Sequence, residues 1–121
     1  MRNAIFKLAA SFALILIATA AFAHAQLKHA VPAVGATVAA PSEIRLKFGE
    51  GVEPHFSAIA LSAEGGGAVA LGALSVDPAD PSVLIATVDA ALASGVYTVT
   101  WHAVSVDTHK THGTFSFTVK P

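Results

Sequence analysis

Hydrophobic and polar side chains alternate along much of this chain. Ile44, Leu46 and Phe48 are separated by Arg45 and Lys47. Tyr97, Val99 and Trp101 are separated by Thr98 and Thr100, and Phe115, Phe117 and Val119 by Ser116 and Thr118. A period of two places successive side chains on opposite faces of a strand, one buried and one wet. Weaker strands are predicted around 27–31, 57–62, 68–74 and 83–88. Turn signals separate them: Pro32 to Gly35, Pro41-Ser42, Gly65-Gly66-Gly67, Asp77-Pro78 with Asp80-Pro81, and Ser94-Gly95. Downstream of the N-terminal segment no stretch sustains a 3.6-residue apolar stripe. The expectation is therefore an all-β, immunoglobulin-like sandwich of about seven strands in two sheets. Tyr97 and Trp101 lie on the apolar parity of their strand, which assigns them to the core rather than to a ligand-stacking platform.

The first residues read differently. Arg2 and Lys7 precede a largely apolar run from Leu8 to Ala21, then Ala21-Phe22-Ala23 and polar sequence. This is the pattern of a cleaved secretory leader. The run is shorter than the ~20 residues a membrane-spanning helix needs. We expect residues 1–23 to be removed, leaving 24–121 as one domain in the periplasm, not embedded in the membrane. Ala23-His24-Ala25 is a second small-x-small pattern overlapping the first, so cleavage after Ala25 is the alternative.

Composition narrows the chemistry. Without Arg2 and Lys7 the mature chain has five basic residues against eight acidic ones, a formal charge of −3, unlike the clustered basic footprint of a nucleic-acid partner. Cysteine is absent, which removes disulfides, thiolate ligands and thiol nucleophiles. Six histidines remain, all downstream of the leader: His24, His29, His55, His102, His109 and His112.

Two of them stand in informative positions. Cleavage after Ala23 puts His24 at the new terminus, where one residue offers an α-amine and an imidazole. Two such nitrogens suit Cu(II), which favours nitrogen and oxygen donors in tetragonal geometry. In Asp107-Thr108-His109 a carboxylate and an imidazole are two apart. If the strand continues, both side chains share one face with Thr108 opposite. An Asp-x-His triplet alone is more often a solvated pair than a ligand set. His102 shares parity with Thr98 and Thr100 and is expected on the wet face. His112 is expected as an exposed loop residue, and His29 and His55 have no sequence partner.

Taken together, His24-Ala25-Gln26-Leu27, Pro32 and Gly35, Phe48-Gly49-Glu50-Gly51-Val52, and the run from Trp101 through Ser105-Val106-Asp107-Thr108-His109 to Gly113-Thr114-Phe115-Ser116-Phe117 resemble CopC-type copper-resistance proteins. The resemblance spans essentially the whole mature chain. It implies a small Greek-key β-sandwich or barrel, and one Cu(II) ion held by His24, Asp107 and His109, with Glu50 as a weaker ligand. It also implies copper homeostasis in the periplasm, with an inner-membrane copper importer as partner. Two positions depart from the family. The only methionine is Met1, in the leader, so a methionine Cu(I) site is not expected. Gln26 stands at the third mature position, where some relatives carry a further histidine.

A binding protein rather than an enzyme is the expectation. Two other readings are distinguishable from it. A copper-brace oxidase, which also uses an N-terminal histidine, requires turnover with a reductant. A metal-free immunoglobulin-like interaction domain requires that Cu(II) not bind. Nitrogen ligands must lose their protons to bind metal, so affinity should fall as pH drops through the imidazole range, ~6.5 when unperturbed.

Overall fold

The computed structural model describes residues 26–121. The expected leader and His24 lie outside the described residues. The described chain is all-β, a sandwich of two sheets. One sheet has four strands: β1 (Leu27–Val31), β3 (Glu43–Phe48), β6 (Leu71–Asp77) and β7 (Asp80–Val88), in the order β1-β3-β7-β6. The other has five: β2 (Thr37–Val38), β4 (Ala58–Ala63), β5 (Gly67–Val69), β8 (Gly95–Val104) and β9 (Lys110–Val119), in the order β2-β9-β8-β4-β5. Five links carry the chain from sheet to sheet, the β5–β6 link among them, while the β4–β5, β6–β7 and β8–β9 connections stay within one sheet.

The alternating segments form the strands expected of them. Ile44, Leu46 and Phe48 of β3 face inward, against Tyr97, Val99, Trp101 and Ala103 of β8 and Phe115, Phe117 and Val119 of β9. Tyr97 is 5% exposed and Trp101 6%, so both polar-tipped aromatics of β8 are core residues. Tyr97 satisfies its hydroxyl by donating to the Ala93 carbonyl at 2.7 Å, as a buried phenol requires. Trp101 meets Phe48 edge to face, ring centres 5.1 Å apart.

Two details differ from the sequence reading. The segment expected as one strand over 68–74 is divided between β5 and β6, which belong to different sheets. A break at Ala70 lets the chain cross over, and residue periodicity does not register such a crossing. The two-residue β2 pairs in parallel with Thr118 and Val119 at the end of β9; it is too short to carry a pattern. The Gly65 to Gly67 turn does close a hairpin, with Gly65 and Gly67 at positive φ.

The outer faces of the two sheets differ in character. On the four-stranded sheet, Arg45 pairs with Glu43 and Asp77, and Lys47 with Asp80. These ion pairs are partly exposed and individually weak. On the five-stranded sheet the centre of the outer face is uncharged, with Thr98 and Ser116 side by side and Thr100 across from Thr114.

Candidate metal centre

The Asp107-Thr108-His109 triplet sits in the turn that joins β8 to β9, not on a continuing strand. Ser105 and His109 close the loop, with the Ser105 N–H donating to the His109 carbonyl at 2.9 Å. Inside it the Thr108 N–H donates to the Ser105 carbonyl at 2.8 Å, and Thr108 adopts a left-handed conformation at φ 71°. This is the three-residue hairpin loop with a left-handed last residue. The expectation that Asp107 and His109 share a strand face is corrected on this point. They meet because the turn folds the chain back: His109 Nδ1 lies 3.1 Å from Asp107 Oδ1.

Ser105 holds the pair together. It is completely buried, and its hydroxyl donates to Asp107 Oδ1 while its oxygen accepts the His109 backbone N–H at 3.2 Å. The Ser105 hydroxyl first, and His109 second, hold the Asp107 carboxyl down at about 2. Asp107 is therefore an anion throughout the neutral range. Both side chains stay partly exposed, His109 at 54% and Asp107 at 42%, so an ion in solvent can reach them.

A second segment braces the hairpin. Residues 49–53 are tied on one side to the start of the described chain, through Gly49 N–H to the Gln26 carbonyl at 3.1 Å. On the other side Val106 N–H donates to Gly51 O at 3.0 Å, Val52 bridges Ser105, and Glu53 N–H donates to Val104 O at 2.8 Å. Gly51 fits against the Val106 side chain, which a Cβ at position 51 would approach to 3.3 Å. Glu50 is thus placed between the start of the described chain and the Asp107 turn. Beside the hairpin is a cleft of about 480 Å³ lined by Gln26, Leu27, Trp101, Thr111 and His112. Gly113 forms part of this arrangement: a Cβ there would come within 2.7 Å of the Trp101 indole. Position 113 is restricted to glycine by that ring.

The structure thus brings Asp107 and His109 together and sets the Glu50 segment beside their turn. Among the described residues no group of three or more histidine, aspartate or glutamate side chains gathers as a complete metal site. His112 is exposed as expected but stands on β9 rather than in a loop, directly across from His102 on the outer face. Among the described residues no helix is long and apolar enough to cross a membrane.

The fold and the hairpin motif match a known family. Residues 27–120 match the model of the CopC domain. This chain belongs to the CopC domain family. It is 41% identical to Protein YobA of Escherichia coli K12 over 106 residues, covering 87% of this chain and 86% of that protein. It is 36% identical to copper resistance protein C of Escherichia coli over 110 residues, covering 86% and 87% of the two chains. The crystal structure of PcoC, a methionine-rich copper resistance protein from Escherichia coli, aligns with a TM-score of 0.73 at 36% identity, over 81% of this chain and 100% of that one. CopC from Methylosinus trichosporium OB3b aligns with a TM-score of 0.74 at 34% identity, over 81% and 95% of the two chains. Met1 is the single methionine here, so this CopC domain shares the fold of PcoC without its methionine-rich composition.

Sequence reasoning passed over Ser105 and Gly113 as site residues. A signal for Ser105 was present. It continues the inward parity of Trp101 and Ala103, and a hydroxyl on a core parity needs a hydrogen-bond partner.

Proposed function

We propose that this CopC domain is a periplasmic Cu(II)-binding protein of copper homeostasis and resistance. It holds one Cu(II) through the α-amine and imidazole of His24, the Asp107 carboxylate and the His109 imidazole, with Glu50 as a weaker ligand. The observation that carries the reading is the 3.1 Å approach of His109 Nδ1 to Asp107 Oδ1 on a braced, solvent-accessible turn. It occurs in a chain whose relatives include copper resistance protein C.

The donor chemistry fits. One imidazole nitrogen and one carboxylate oxygen belong to the set Cu(II) prefers, and Cu(II) heads the Irving-Williams order over Zn(II) at such donors. Asp107, held at about 2, is available as an anion without competition from protons near neutrality. The bond from Gly49 to Gln26 ties the chain two residues after His24 to the Glu50 segment, and a residue spans at most ~3.5 Å. That tether supports His24 as the donor completing the set. With Met1 lost in the leader, the site serves Cu(II) alone. The chain binds and releases copper rather than catalysing a reaction, and an inner-membrane copper importer is the recipient.

Trp101 is the only tryptophan and reports the test. Cu(II) added to the secreted protein is expected to quench its fluorescence with one-to-one stoichiometry. His109→Ala or Asp107→Asn should weaken the response at least ~tenfold. Unchanged titrations of both variants would remove the site from this hairpin. An intact mass beginning at Gln26 rather than His24 would remove the N-terminal donors.

A further inference from the structure

We infer that His102 and His112 form a second metal-binding position, a two-imidazole chelate for a divalent first-row ion on the outer face of the five-stranded sheet. The two residues are direct partners in the β8–β9 register. Both are exposed, and their ring centres are 5.8 Å apart with planes inclined by 35°. With metal–imidazole bonds of ~2 Å, two rings on one ion have their centres ~4.5–5.5 Å apart. Rotation of the side chains of two exposed residues closes that difference without moving the backbone.

The surroundings favour an ion over other partners. His102 is flanked on its other side by Ala58 of β4, which leaves the rings uncrowded. Thr100 and Thr114, the next outward pair along the same two strands, are uncharged. No ion pair joins either histidine to a carboxylate among the described residues. The two imidazoles present two nitrogen donors at one point. Lys110, on the same parity of β9, is the one nearby cation on that strand, and its exposed ammonium is screened by solvent.

This position is separate from the hairpin pair. His102 and His112 have outward parity, whereas Thr111 and Gly113, on either side of His112 in β9, have the opposite one. No three potential ligands gather among the described residues, so neither Asp107 nor His109 joins the chelate. Two protein ligands leave coordination positions for water or an incoming ligand. Such a site is weaker and more readily exchanged than one with three or four protein donors. Imidazole pairs suit Cu(II), Ni(II) and Zn(II), with Cu(II) the tightest.

The test is a titration of the secreted protein with Cu(II) beyond one equivalent, followed through the histidine ring signals by NMR. After the first equivalent, the second should broaden His102 and His112 together. His102→Ala and His112→Ala should each weaken this second step at least ~tenfold, since each leaves a single imidazole without the gain of a tethered partner. His102→Ala should leave the first step and the thermal midpoint unchanged. His109→Ala should weaken the first step and spare the second, so failure of the hairpin site and failure of the chelate are read separately. An unchanged second step in both variants, loss in only one of them, or broadening centred on His29 or His55 would overturn the proposal.

Discussion

Ser105 shows how one buried hydroxyl organises an exposed pair of functional groups. Its proton goes to Asp107 and its lone pair receives the His109 N–H, so one atom fixes both ends of the turn. Ser105→Ala would remove the buried Oγ acceptor of that N–H and deprive Asp107 of its largest stabilising contact. A cost of about 1–3 kcal/mol in folding stability is expected, measurable by urea unfolding. NMR titration should show the Asp107 carboxyl rising from about 2 towards the ordinary aspartate range. A variant with stability and titration unchanged would show that the hydroxyl does not hold the pair. At this scale the sequence disclosed the chemistry-bearing side chains, because Asp107 and His109 are close in the chain. It did not disclose what positions them, since a serine on a core parity looks ordinary until its partners are seen.

At the scale of elements, the strands were readable and their junctions were not. Strands β3, β8 and β9 announce themselves because one face of each is buried, and burial selects side chains with period two. Turns and crossings follow from backbone conformation, which few side chains report. Thr108 is the clearest case: a β-branched residue at φ 71° is an outlier that sequence rules assign to glycine or asparagine. The left-handed conformation costs a non-glycine residue roughly 1–2 kcal/mol, and glycine's larger unfolded-state entropy returns roughly 0.5–1 kcal/mol of that. Thr108→Gly is therefore expected to stabilise the fold by ~0–1.5 kcal/mol in urea unfolding. Cu(II) affinity should stay within ~twofold, because Thr108 supplies no donor in the proposed site. Destabilisation beyond ~1 kcal/mol would show that the threonine side chain holds the turn rather than straining it. The same limitation explains β5 and β6: the pattern over 68–74 continues through a change of sheet that only three-dimensional packing reveals.

The whole molecule separates two pH responses that share one sandwich. Asp80 is held at about 2 by the Ser82 hydroxyl, then by Lys47 and the Ser82 N–H. Asp107 lies at about 2, and Asp77 is lowered by the Ala79 N–H and by Arg45. A carboxylate depressed in the folded state contributes stability that is complete above its unfolded value of ~3.9 and disappears as pH falls through its folded value. The fold should therefore lose these contributions between about pH 4 and pH 2. All three groups keep some contact with solvent, which screens their ion pairs and keeps each contribution small. Metal release follows a different group, because free imidazole takes up protons around pH ~6.5 and a protonated ring has no lone pair to offer a metal. Acidifying the Cu(II)-loaded protein should release the ion with circular dichroism unchanged, and unfolding should begin only below about pH 4. Asp80→Asn, on the opposite sheet from the hairpin, should make the acid unfolding shallower and leave the release curve in place. Coincidence of release with unfolding in the native chain would mean that copper is held by the integrity of the fold rather than by titrating nitrogen donors.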